Sequence, residues 1–246
     1  MEQLLRVKNL SKDQILHGIS FDMEQGEMLA VMGPSGSGKS TLLYNVAGMD
    51  QPDGGKVWLG GTEITELSED EKAKLRLHRM GFVFQQMNMV ENLNILDNIL
   101  LPAVQANRGK GGKPMPELEA KAKTLTEKLS IFGLEKRRIT EVSGGQLQRA
   151  CICRSMMNDP EILFADEPTG ALNQGAAAEV MAELVKLNQE GTALLTVTHD
   201  SRVASQCDRI LYLLDGCICG ELTLDRTASE RQRERTVKQW LTEMGW

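Results

Sequence analysis

Gly33-Pro34-Ser35-Gly36-Ser37-Gly38-Lys39-Ser40 decides the fold. It follows the apolar run Met28-Leu29-Ala30-Val31-Met32 and precedes a helical pattern over residues 39–47. A strand, a glycine-rich turn and a helix opening on Lys-Ser match G-x-x-x-x-G-K-[ST] in full, in the context that pattern requires. Glycines let backbone N–H groups close on phosphate oxygens, and a helix N-terminus adds unpaired donors and a positive dipole end. Gly33, Pro34, Ser35, Gly36, Ser37 and Gly38 are therefore read as a cradle for the triphosphate of ATP. Lys39 reaches its β- and γ-phosphates, the Ser40 hydroxyl holds Mg²⁺, and Thr41 completes the nucleotide-binding set.

Outward from this turn, further short apolar runs without alternation occur at residues 81–84, 162–165 and 193–197. Strands buried on both faces of a parallel sheet read this way. Helical patterns intervene, among them 176–187, so the class is α/β. The N-terminal stretch differs. Ile19, Phe21 and Met23 alternate with Ser20, Asp22 and Glu24, and Asp53-Gly54-Gly55 marks a turn before the strand Lys56-Val57-Trp58-Leu59. Both point to a small antiparallel layer. A Gly/Pro/Lys loop at 107–116 between helical stretches at about 92–106 and 117–132 marks a helical insert. Val237, Trp240, Leu241 and Met244 recur at helical spacing in a tail helix, packed on the body or on a partner.

Composition narrows the function. With 28 Lys and Arg against 34 Asp and Glu, the net charge is −6, which disfavours a nucleic-acid binder. Aromatics, at 4%, are too few for a base-stacking surface. No apolar run reaches the roughly 18 residues of a membrane span, and Met1-Glu2-Gln3-Leu4-Leu5-Arg6 lacks a signal peptide's apolar stretch. A cytoplasmic location is expected. The five cysteines, including Cys151/Cys153 and Cys217/Cys219, are read as small buried thiols, although the second pair would share a strand face and leaves a metal site conceivable.

Two more segments carry chemistry. The run Ile162-Leu163-Phe164-Ala165 ends in Asp166-Glu167. Two carboxylates at the C-terminal edge of a parallel sheet stand where ligands bind. Asp166 fits the Mg²⁺-holding role, and Glu167 orients or deprotonates the attacking water. Ser143-Gly144-Gly145-Gln146, before a helical pattern over 147–157, forms a second anion site. One chain has no evident use for two cradles on one nucleotide, so this one is expected to dock onto ATP held by a second copy.

In this order, with Phe84-Gln85 between the phosphate loop and the signature and Thr198-His199-Asp200 after the acids, the chain resembles the ATP-binding subunits of ABC transporters from Leu4 to about Leu224. The resemblance implies a P-loop ABC ATPase core at about 1–85 and 160–225, a helical subdomain at about 86–159 and a tail at about 226–246. It also implies that Gln85 senses Mg²⁺ and the membrane partner, and that His199 contacts the γ-phosphate and orients Glu167. Catalysis is thereby assigned to Glu167, His199 and Lys39, and metal binding to Ser40, Gln85 and Asp166. The implied partners are a second copy and a separate transmembrane permease at the cytoplasmic face of the membrane, with no nucleic acid. Met87, Met89 and Val90 either meet that permease or fill the insert's core.

Gly81-Phe82-Val83-Phe84-Gln85-Gln86 and Phe164 to Leu172 resemble the branch of macrolide exporters, lipoprotein-releasing ATPases and bacitracin-type pumps, and Ala204-Ser205-Gln206-Cys207 resembles the last of these. Export or removal of an antimicrobial peptide or lipophilic compound is the expected task. A regulatory ATPase signalling through a membrane protein is the alternative. A DNA-repair ATPase is disfavoured because residues 40–143 have no room for a coiled-coil arm and no C-x-x-C. Two positions depart from the family. Residues 11–15 carry no aromatic to stack on adenine, so weaker ATP affinity or base selectivity is expected. Asn173 stands where Asp is usual in the family, keeping the shape and losing the charge, so altered communication between the two ATP sites is expected.

Overall fold

The computed structural model describes residues 3–108 and 112–246. The chain runs β1 (Gln3–Lys12), β2 (Leu16–Glu24), β3 (Met28–Met32), α1 (Lys39–Val46), β4 (Gly54–Leu59), β5 (Thr62–Glu63), α2 (Glu69–Arg79) and β6 (Met80–Phe84). Then come α3 (Ile95–Ala106), α4 (Met115–Lys128), α5 (Gly144–Met156), β7 (Ile162–Asp166), α6 (Gln174–Gln189) and β8 (Ala193–Val197). It closes with α7 (Ser201–Ala204), β9 (Arg209–Leu214), β10 (Cys217–Thr223) and α8 (Glu230–Glu243).

The unalternated apolar runs become strands of a six-stranded sheet of order β10-β9-β3-β8-β7-β6, parallel except for β10. Apolar continuity is explained by two cores, one on each face. Met28, Ala30 and Met32 of β3 enter one, while Leu29 and Val31 enter the other. β7 divides the same way, with Leu163 and Ala165 on the first face and Ile162 and Phe164 on the second. The second core is closed by the antiparallel sheet β2-β1-β4-β5 and by Leu42, Leu43 and Val46 of α1. Side chains of α3 to α6 and α8 close the first. Each face thus receives a covering layer, as a parallel sheet requires.

Local signals set the element ends. Asn94 caps α3 by accepting from Asp97 N, so this helix begins three residues later than its pattern implied. α5 begins earlier than expected, because Ser143 and Gln146 form a capping box around Gly144 and Gly145. α4 takes in Met115 and Pro116 from the expected loop, with proline in the first turn, where its missing N–H is no loss. Residues 109–111 of that loop lie outside the described residues. Gly54 and Gly55 already belong to β4, so the turn before it ends at Asp53. α8 packs on the body: Val237 and Leu241 are buried, and Trp240 meets Tyr212 edge-on at 6.1 Å. No helix among the described residues is long and apolar enough to cross a membrane.

Candidate nucleotide site

Strand register builds the site. Val31 of β3 pairs with Val197 of β8, Val197 with Asp166 of β7, and Asp166 with Phe84 of β6. Four strands therefore end level with one another. The residues that follow, Gly33 after Met32, Gln85, Glu167 and Thr198, emerge along one sheet edge, at the carboxyl ends where α/β proteins bind ligands.

Gly33 lies so close to β9 that a Cβ there would overlap the Leu213 carbonyl oxygen, which restricts the position to glycine. Gly38 sits at φ +97° as the N-cap of α1, a left-handed conformation that glycine adopts freely. Between them, Ser37 N donates to the Pro34 carbonyl at 3.2 Å, and buried Ser37 Oγ has no partner among the described residues. Lys39 Nζ donates to the Gly33 and Pro34 carbonyls, each at 2.8 Å. Burial lowers the pKa of this ammonium, while Glu167 and Asp166 raise it, so the two acids and the lysine share one field. Thr41 follows in the first turn of α1, its carbonyl accepting from Asn45 Nδ2.

Asp166 is buried, and its two oxygens have separate partners. Ser40 Oγ donates to Oδ1 at 3.0 Å and the Tyr44 hydroxyl to Oδ2 at 2.8 Å. The Ser40–Asp166 pair fits a magnesium ion: both are oxygen ligands, and an octahedron with Mg–O bonds of about 2.1 Å has an edge of about 3 Å. Gln85 is exposed and forms no hydrogen bond to Ser40 or Asp166 among the described residues. Its amide lies instead over Gly170, just past the acids.

Glu167 adopts φ +47°, a left-handed backbone that is strained for a residue with a Cβ. Its N–H donates to the Val197 carbonyl at 2.9 Å. Its side chain, 16% exposed, has Oε1 2.7 Å from His199 Nδ1 and Oε2 3.4 Å from Thr198 Oγ1. His199 is thus brought to Glu167 from the adjacent strand, 65% exposed on the open side. Asp200 caps the short α7 and pairs with Arg202, which holds its carboxyl below the usual range against the opposing effect of burial.

Ser143, Gly144, Gly145 and Gln146 stand apart from these residues. Gly144 and Gly145 pack on Leu172 and Ala176 at the start of α6, and no hydrogen bond joins this segment to the phosphate loop among the described residues. Ser143 and Gly144 are exposed.

A family model described as "ABC transporter" matches residues 16–170. The chain belongs to the ABC transporter ATP-binding family. This ABC cassette is 39% identical over 227 residues to the lipoprotein-releasing system ATP-binding protein LolD of Aquifex aeolicus, covering 91% of this chain and 99% of that protein. It is 38% identical over 214 residues to the bacitracin export ATP-binding protein BceA of Halalkalibacterium halodurans, covering 87% and 83%. It also matches the macrolide export ATP-binding/permease protein MacB of Bdellovibrio bacteriovorus at 38% over 240 residues, but spans only 36% of that longer protein. Among solved structures, the dimeric post-hydrolysis state of the cassette MJ0796, bound to ADP and Pi, superposes with a TM-score of 0.82 at 34% identity over 90% of this chain and 99% of that one.

An apolar groove of about 600 Å³ opens between α2, β6 and α3, lined by Leu77, Phe82, Phe84 and Leu101 with Arg76 and Arg154. It reaches Phe84, the residue before Gln85, and Met87, Met89 and Val90 do not line it. Met89 packs on the core, Met87 offers its carbonyl to Arg154, and Val90 is exposed singly. Where the family's aromatic is missing, the atoms nearest to Gly38 belong to Ile15 and Leu16, and Ile15 is 42% exposed. Asn173 caps α6, accepting from Ala176 N at 3.0 Å, which needs the oxygen and not the charge. Tyr44 was not legible as a site residue, because a tyrosine inside an amphipathic helix pattern reads as packing.

Proposed function

We propose that this chain binds ATP with Mg²⁺ in the phosphate loop and hydrolyses it with Glu167 as the group that handles the attacking water. The observation that carries the reading is the Glu167–His199 contact of 2.7 Å, held level with the phosphate loop by strand register. Lys39 leaves the Gly33 and Pro34 carbonyls for the β- and γ-phosphate oxygens, and the loop's N–H groups take up the charge developing there. Magnesium, held by Ser40 and Asp166 with Gln85 nearby, would supply charge neutralisation on the phosphates. Glu167 accepts a proton from water as the water oxygen bonds to the γ-phosphorus and the bond to the bridging β-oxygen breaks. His199, whose Nδ1 lies 2.7 Å from Oε1, fixes the Glu167 carboxylate for that transfer, and its open side faces the γ-phosphate.

The Ser143-Gly144-Gly145-Gln146 cradle, exposed at Ser143 and Gly144, serves the ATP of a second copy, in line with the dimeric state of MJ0796. The groove lined by Phe82, Phe84 and Leu101 would receive an apolar segment of a separate permease, and the cassette would then sit at the cytoplasmic face of the membrane. The core at about 1–85 and 160–225 would hold ATP, and the helical subdomain at about 86–159 would carry the cradle and one wall of the groove. Likeness to BceA and MacB supports export or removal of an antimicrobial peptide or lipophilic compound. Reconstitution with the permease tests this: cargo movement that needs ATP and ceases with Glu167→Gln is expected. ATP turnover stimulated by cargo with no cargo moved would instead indicate a signalling ATPase.

A further inference from the structure

The Tyr44 hydroxyl donates to Asp166 at 2.8 Å, on the carboxylate oxygen that Ser40 does not hold. Ser40 and Tyr44 are four residues apart on α1, so one helix face presents both donors to one carboxylate. A strand-end carboxylate held at one oxygen turns about its last side-chain bond. Held at both, it cannot turn without breaking a hydrogen bond. The Tyr44 ring is half-buried, and its centroid lies 6.5 Å from that of Phe84, tilted by 58°. Phe84 pairs in register with Asp166 and leads into Gln85.

We propose that Tyr44, which lies outside every motif of the site, is a positioning residue for Mg²⁺. It locks the Asp166 carboxylate so that Oδ1 stays beside the Ser40 hydroxyl, a role that rests on the reading of Asp166 as a metal ligand. Tyr44 itself touches neither metal nor nucleotide. Outer partners of this kind fix the orientation of a ligand and so set metal affinity without contacting the ion.

Tyr44→Phe keeps the ring against Phe84 and deletes only the donor. Binding of a fluorescent ADP analogue, measured once with Mg²⁺ and once with EDTA, separates the metal's contribution from the nucleotide's. The variant is expected to match wild type in EDTA and to bind about tenfold more weakly in Mg²⁺, the lower end of the usual loss for an outer-shell partner. An unchanged Mg²⁺-to-EDTA ratio, or equal weakening in both media as from disturbed packing, overturns the assignment. Asp166→Asn is measured alongside. If it loses the wild-type ratio while Tyr44→Phe keeps it, only the Tyr44 role fails. If both keep it, Asp166 is not the metal ligand and the underlying site reading fails as well.

Discussion

At the scale of single residues, Glu167 and the cysteines make the sharpest claims. Glu167→Gln retains the shape and a hydrogen bond to His199 but has no basic oxygen to take a proton. Phosphate release is expected to fall by roughly 10²–10⁴-fold, about 3–5 kcal/mol of barrier, with ATP binding kept. A near wild-type rate would remove Glu167 from the role. The thiols divide differently from their reading as uniformly buried. Burial pushes Cys151 up to about 11 and Cys207 up to about 12, and raises Cys153 further, while Cys219 is exposed and Cys217 partly so. A thiol reagent at pH 8 should therefore modify Cys219 first, then Cys217, and reach the other three only on unfolding. Fast labelling of Cys151, Cys153 or Cys207 in the native protein would contradict the packing. Among the described residues, no group of three or more His, Cys, Asp or Glu side chains is arranged around a metal, so Cys217 and Cys219 have no further ligand to join them.

At the scale of elements, legibility followed the strength of the local pattern. The buried strands were readable because Leu29 to Met32 and Ile162 to Ala165 run without a polar residue and are too short for a typical helix, as strands buried on both faces are. Helix ends were less so. Asn94 and Ser143 were present as caps, but a side chain that bonds three residues onward competes in sequence with hydrophobic spacing that runs past it in either direction. α2 escaped the pattern altogether, since Lys72 is its one buried side chain; only the Ser68–Glu71 capping box announces it. The tail helix was readable by spacing, but its docking partner was not. Val237 and Leu241 seat it on the body, and Gly220 of β10 leaves room for Met244 and Trp240. Leu241→Ala should cost about 2–5 kcal/mol, as buried leucine truncations do, with loss of the Tyr212–Trp240 contact seen in near-ultraviolet circular dichroism. An unchanged denaturation midpoint would mean that α8 is only loosely attached.

At the scale of the whole molecule, the site is legible in part because sequence order does not report spatial order. Lys39, Asp166, Glu167 and His199 converge through the register of β3, β7 and β8, which spacing along the chain does not reveal; their motifs identified them, and the strand pairing brings them together. Ser143 and Gly144 are exposed, and no hydrogen bond joins Ser143 to Gln146 with the phosphate loop among the described residues. On the proposed reading, phosphates bound on one side by Lys39 and the loop amides would leave the γ-phosphate's far side for this segment of a second copy, giving a two-fold dimer with ATP inside the interface. The direct measurement is sedimentation of Glu167→Gln, in which ATP is held and not consumed. The account predicts a monomer without nucleotide, a dimer at saturating ATP with Mg²⁺, and a monomer under both conditions once Gly144→Asp sets a carboxylate against the phosphate. A single variant that stays monomeric at saturating ATP, or a double variant that still dimerises, would contradict it.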